Sequence, residues 1–96
     1  MTVWYLYVLR CAEGSLYTGI ATDVERRVEE HRTDPKKGAK YLRGRGPFEL
    51  VLEKRIGTRS LASKVERHVK RLPKAKKEAL LIDHRLIERI IAEYED

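Results

Sequence analysis

The sequence predicts an α+β fold, a small three-stranded antiparallel sheet flanked by helices with an extra helix at the C-terminus. Three observations carry this expectation. The segments VWYLYVLR, LYTGI and FELVLEKR are short and either rich in aromatic and β-branched residues or alternate apolar with polar. Apolar residues at helical spacing recur between the second and third of these segments and again after the third. The chain of 96 residues is long enough for one hydrophobic core and too short for two.

Val3 to Arg10 reads as a central strand, because it is apolar on both faces. Ala12-Glu13-Gly14-Ser15 supplies a turn, and Leu16 to Ile20 returns as a second strand. Two registers are open: a three-residue loop sets Tyr7 across from Tyr17, and a two-residue turn at Glu13-Gly14 pairs Tyr17 with Arg10. Thr22 or Asp23 caps a helix running to about His31, with Glu25 in its first turn. Val24, Arg27, Val28 and His31 share one face of that helix, and the valines turn it inward, whereas Arg26, Glu29 and Glu30 point elsewhere.

Arg32 to Gly46 is a basic loop containing three glycines and Pro35, expected to move in the absence of a ligand. Phe48 to Arg55 alternates as a third strand, with Phe48, Leu50 and Leu52 on one side and Glu49, Val51 and Glu53 on the other. Ser60 is placed to cap a helix reaching Leu72, whose buried stripe is Leu61, Val65, Val69 and Leu72, with Glu66 beside it. Pro73 ends that helix and starts another, from about Lys74 to Ile82. Asp83 caps a final helix whose seam of Leu86, Ile87, Ile90, Ile91 and Tyr94 is either core or a homodimer contact. Residues 1–82 thus form the principal domain, and 83–96 a helical extension packed on it.

Composition narrows the function. The 42% apolar and 38% charged residues leave no apolar run near membrane-spanning length, so no membrane role is expected. The N-terminus carries no signal-peptide pattern, which points to a cytoplasmic location. Cys11 is the single cysteine and reads as a small buried hydrophobe. Asn and Gln are absent, a composition expected of a thermophilic source.

The net charge of +6 is unevenly spread. Arg32–Gly46 carries a local charge of +5, Lys64–Lys77 carries +6, and the tail Asp83–Asp96 carries −3. Two basic segments suit a polyanion, because each Lys or Arg brought to a phosphate releases a condensed counterion. A set of solvated faces is the plainer reading of the same charges. Arg27 likewise has two readings: a structural ion-pair partner, to Glu53 or Glu66, or an anion-binding residue in a cleft.

Tyr5-Leu6-Tyr7, Tyr17-Thr18-Gly19, Arg27 eight residues after that glycine, and Glu66 on a later helix together resemble the GIY-YIG nuclease superfamily. The stretches WYLYVLRC, SLYTGI, RRVEEH, GAKYLRGR and VKRL are similar to those of its small stand-alone proteins of poorly defined function, over about residues 3 to 82. The motifs are altered: Tyr5 and Leu6 replace the glycine and isoleucine of the first, Thr18 the isoleucine of the second. Ile20 stands where some relatives carry lysine, and the late asparagine of others has no counterpart.

The resemblance implies a metal-dependent endonuclease acting on phosphodiester bonds of DNA, in a setting such as repair or recombination. It implies a site of Tyr7, Tyr17, Arg27, His31 and Glu66, and it favours the register that brings Tyr7 near Tyr17. In that site Glu66 holds Mg²⁺ or Mn²⁺, which commonly binds through one or two carboxylates. Arg27 meets the charge that grows on the phosphate, and Tyr17 with Tyr7 orients and deprotonates the attacking water. His31 supports them from behind. Lys36, Lys37, Lys40, Tyr41, Arg43, Arg45, Lys70 and Arg71 are the expected nucleic-acid contacts, mainly to the backbone. The alternative is a catalytically weak or inactive nucleic-acid-binding module on the same fold.

Overall fold

Strand β1 (Trp4–Arg10) presents apolar side chains on both faces, and that pattern makes it the middle of the sheet. In the computed structural model, which describes residues 2–34 and 36–95, β1 pairs antiparallel with β2 (Leu16–Ala21) on one side and β3 (Glu49–Gly57) on the other. Helix α1 (Val24–Thr33) follows β2, and α2 (Arg59–Arg71), α3 (Lys74–Ile82) and α4 (Arg85–Tyr94) follow β3. Pro35, counted with the basic loop, lies outside the described residues. No helix among the described residues is long and apolar enough to cross a membrane.

The alternation of β1 divides the core in two. Leu6 and Val8 pack with Leu52, with Val65 and Val69 of α2, with Leu80 of α3, and with Ile87, Ile90 and Ile91 of α4. Tyr7 and Leu9 point the opposite way, into a cluster with Cys11, Val24 and Val28 of α1, Leu42 and Phe48. One sheet face therefore carries three helices and the other carries α1 and the basic loop. Each fully buried aliphatic side chain contributes roughly 1.5–3 kcal/mol, so the first cluster is the larger source of stability.

The α4 seam faces this first cluster, with Ile87 fully buried, so of its two readings it is core rather than a dimer contact. His68 Nδ1 and the Tyr94 hydroxyl, 2.9 Å apart, add a polar tie between α2 and α4. Arg10 donates two 2.8 Å bonds to the Glu78 carboxylate, fixing α3 to the end of β1.

Several local expectations are corrected. The hairpin takes neither anticipated register: Tyr7 stands opposite Gly19 and Leu9 opposite Tyr17, because Cys11 N–H bonds back to Ser15 C=O across the turn. The third strand does not keep one alternation. A register shift between Val8 and Leu9 inserts an extra residue into β3, so Leu52 joins the α2 face, Phe48 joins the α1 face, and Leu50 is exposed.

Thr58, not Ser60, caps α2, its hydroxyl accepting from Leu61 N–H at 3.1 Å. Of the two candidates for α1, Asp23 is the cap, accepting from Arg26 N–H at 3.1 Å. Asp83 accepts from Arg85 N–H at the start of α4 although His84 occupies the capping position. The basic loop is pinned rather than free. Its Leu42 is buried, a 3-10 turn spans Lys40–Leu42, and Ala12 N–H bonds to Arg45 C=O at 2.9 Å.

Candidate active site

Tyr7 sits in the middle of β1 with 1% of its surface exposed, and its ring passes over Gly19 of the neighbouring strand. Only a residue without a side chain leaves room for the ring there. The Tyr7 hydroxyl lies 2.9 Å from Nε2 of His31, which projects from the inward face of α1. The other ring nitrogen, Nδ1, accepts a 3.1 Å bond from the main-chain N–H of Ala39 in the basic loop.

These contacts fix where the proton resides. Burial, reinforced by the Arg27 charge, lowers the His31 pKa from its usual 6.5 to about 4, so the imidazole is neutral near pH 7. Because Nδ1 is an acceptor, the single proton is on Nε2 and is donated to the Tyr7 oxygen. Burial also pushes the Tyr7 phenol well above its ordinary range. Nearby Tyr17 and, more weakly, Glu66 add to that rise, while Arg27 opposes it. Tyr7 is therefore a phenol whose oxygen accepts from His31 and whose own proton is free for another partner.

Tyr17 of β2 borders the same space. Its ring centroid lies 6.4 Å from that of Tyr7, 5.6 Å from His31 and 6.0 Å from Tyr41, on which it stacks. The two motif tyrosines are diagonal neighbours across the ladder, which brings them together without placing them directly opposite. Helix α2 passes on the far side. It sets Lys70 Nζ 5.8 Å from the Tyr17 ring centre and 3.3 Å from the half-buried Glu66 carboxylate. Glu66 is thus an i,i+4 partner of Lys70 and a carboxylate within electrostatic reach of Tyr7.

Arg27 occupies the margin of the core, and neither expected ion-pair partner, Glu53 or Glu66, is bonded to it. It pairs instead with Glu30, one turn on, at 3.0 Å, and donates to Lys37 C=O at 2.7 Å. Glu30 is therefore turned toward Arg27 rather than away from it, and it meets Arg26 as well at 3.5 Å. The Arg27 guanidinium keeps an electrostatic hold on the Tyr7 hydroxyl.

Tyr7, Tyr17, Arg27, His31 and Glu66 are thus brought together at the β2 edge of the sheet, with Tyr41 and Lys70 against Tyr17. Tyr41 is 46% exposed, and the Arg45 guanidinium lies 4.4 Å from its ring centre. Arg45 also bonds the Glu13 carboxylate at 3.2 Å, so part of its charge is met within the chain. The Lys36, Lys37, Lys40, Arg43 and Arg71 side chains are exposed.

Two participants had no signal in the sequence pattern. Glu30 lies off the apolar stripe of α1, and Ala39 contributes only a main-chain N–H.

Among the described residues no group of three or more His, Cys, Asp or Glu is gathered as for an all-protein metal cage. One half-buried carboxylate beside two phenols suits a hard divalent ion that keeps most of its waters and takes further oxygens from a phosphate. Glu66 would be the ligand.

Residues 3–79 match the family model described as the GIY-YIG catalytic domain. The chain is 46% identical over 92 residues to UPF0213 protein YhbQ of Salmonella typhimurium, covering 96% of this chain and 90% of that protein. It is 51% identical over 83 residues to YhbQ of Escherichia coli K12, covering 86% of this chain and 81% of that protein. Two solution NMR structures are similar. A UPF0213 protein of Bacillus halodurans has a TM-score of 0.54 at 47% identity, covering 82% of each chain. A protein of E. faecalis has a TM-score of 0.62 at 38% identity, covering 90% of each chain.

Proposed function

The chain belongs to the GIY-YIG family, and from that premise we propose that it is a divalent-metal-dependent endonuclease that hydrolyses phosphodiester bonds in DNA. The observation that carries the reading is the surroundings of Tyr7. Its phenol is contacted by the neutral His31, lies beside Tyr17 with the ring centres 6.4 Å apart, and lies in the fields of Arg27 and Glu66.

The environments of the two phenols divide their work. Tyr7, buried and held protonated, donates its hydrogen to an oxygen in the cleft and so orients the attacking water or the phosphate. Tyr17, less buried, is the group left to take the proton from that water. Arg27, once its bond to Lys37 C=O or Glu30 is exchanged for phosphate oxygens, stabilises the negative charge that grows on them. Glu66 would hold Mg²⁺ or Mn²⁺, whose chemistry there is Lewis-acid stabilisation of the leaving oxygen. Lys70 keeps the carboxylate beside Tyr17. The exposed cations Lys36, Lys37, Lys40, Arg43 and Arg71 supply backbone contacts around the site.

Cleavage of a panel of labelled DNA structures with Mg²⁺ or Mn²⁺, wild type against Glu66→Ala, is the test. Metal-dependent cutting by wild type and none by the variant is expected. Binding without cutting by wild type under every divalent ion overturns the nuclease reading in favour of a binding module.

A further inference from the structure

Trp4 is the largest side chain type in the protein and its single tryptophan, yet it belongs to neither core cluster. It stands at the start of β1, half-buried, with the Arg59 guanidinium of α2 5.2 Å from its ring centre. Its indole N–H has no hydrogen-bond partner among the described residues. A large aromatic surface has been kept out of the core and furnished with a cation.

The indole also lines an open groove of about 280 Å³, bounded by Ile20 and Ala21 of β2 and by Asp23, Arg26 and Arg27 at the start of α1. Arg27 is shared, so the groove adjoins the candidate active site. Its charges balance, because Glu30 is held by Arg26 and Arg27, and Asp23 caps the helix. A neutral, flat, partly polar group suits such a groove better than a bare phosphate does.

Helix α2 supplies the complementary track. Arg59, Ser63, Glu66 and Lys70 fall at i, i+4, i+7 and i+11, one polar stripe along the helix. Its two ends each place a cation on an aromatic ring, Arg59 on Trp4 and Lys70 on Tyr17, with Glu66 between them. At 1.5 Å per residue, Arg59 lies about 10 Å along the axis from Glu66, within reach of a strand that continues from a phosphate at Glu66.

We propose that Trp4, Arg59 and this groove form a subsite for an unpaired nucleotide flanking the phosphate at Glu66 and Arg27. The base stacks on the indole and the adjoining phosphate meets Arg59. The substrate is then a strand with single-stranded character beside the cut, such as a flap, an overhang or a frayed junction. Base pairing would deny the indole its ring face. The proposal rests on the nucleic-acid reading above, and its test is made on binding without catalysis.

Because Trp4 is the single tryptophan, its fluorescence reports this subsite directly. Wild-type protein in chelator is titrated with a labelled oligothymidylate of about 12 nucleotides, within the usual ~4–16 nucleotide site size, and separately with a blunt duplex. Label anisotropy reports total binding. The expected result is saturable quenching of Trp4 by the single strand in step with anisotropy, and little quenching by the duplex. Trp4→Ala should weaken single-strand binding about 5- to 150-fold, as stacking is worth ~1–3 kcal/mol per base. Should that variant not fold, Arg59→Glu, a change at an exposed position, should weaken single-strand binding and reduce the quenching.

Saturated anisotropy with Trp4 fluorescence unchanged, or equal quenching by the blunt duplex, overturns the subsite and leaves the nuclease reading standing. Absence of binding by either probe overturns both.

Discussion

Gly19 and Tyr7 face one another across the β1–β2 ladder so closely that a Cβ on Gly19 would fall 2.5 Å from the Tyr7 hydroxyl oxygen and ring. Tyr7 is enclosed and cannot swing away without leaving His31. Gly19→Ala should therefore cost about 1–3 kcal/mol through overpacking, read by urea denaturation. It should also displace the Tyr7 ring, read as a change in the His31 ring resonances. A wild-type midpoint with unchanged resonances would contradict the close approach.

The lowered pKa of His31 makes a signed prediction. The unfolded chain binds a proton near pH 6.5 whereas the folded chain resists until about pH 4, so stability should fall as the pH drops through that window and level off below it. The full loss is roughly 3 kcal/mol at ~1.36 kcal/mol per unit. The carboxylates held low by arginines, Glu30 and Glu78, start from 4.5 and affect only the acid end. Denaturation midpoints of wild type and His31→Phe from pH 7 to 4.5 check this, and the variant should lose most of the slope.

Catalysis and binding should separate under mutation. Tyr17→Phe, Arg27→Ala and Glu66→Ala each remove one group that acts on the reacting phosphate or water, so each should lower cleavage ~10²–10³-fold. Binding rests on many phosphate contacts and should change little. Glu66→Ala alone should also lose its response to added Mg²⁺ or Mn²⁺. Single-turnover cleavage and anisotropy on the same substrate measure both. Wild-type rates in all three variants would refute the assignment.

The basic loop should contribute through charge. Replacing Lys40, Arg43 and Arg45 by Ala should weaken duplex binding and make the dependence of log K on log salt shallower by about 2 to 3, near 0.9 per lost phosphate contact. The Arg45 share should be smaller than that of Lys40, because Glu13 already meets part of its charge. An unchanged salt slope would place the contacts elsewhere.

The sheet and the helices were legible because they rest on periodicity, and the five candidate site residues were picked out by the resemblance of their motifs. β1 announces its central position by being apolar on both faces, and Val24 with Val28 turns His31 inward. What was hidden depends on atoms that leave no pattern. The extra residue in β3 that divides Phe48 from Leu52 follows from packing against β1, and no turn or glycine at Val51 foretells it. The Tyr7–Gly19 register is set by a main-chain bond across the hairpin turn. The Glu30 pairing arises because α1 leaves Arg27 at the core margin, within reach of a residue one turn on. Trp4 drew no separate reading, since nothing in one sequence distinguishes an aromatic that enters the core from one held beside it.

The bond from Ala39 N–H to His31 Nδ1 has a consequence for how the site can be dissected. The atom that dictates the histidine tautomer belongs to the polypeptide itself, so an alanine scan, which edits only side chains, passes over it in silence. Ala39→Pro deletes that hydrogen, and a backbone ester at the same place replaces the amide without adding a ring. Either change frees the imidazole proton to move to Nδ1, and the polarity of the whole Tyr7 relay reverses with it.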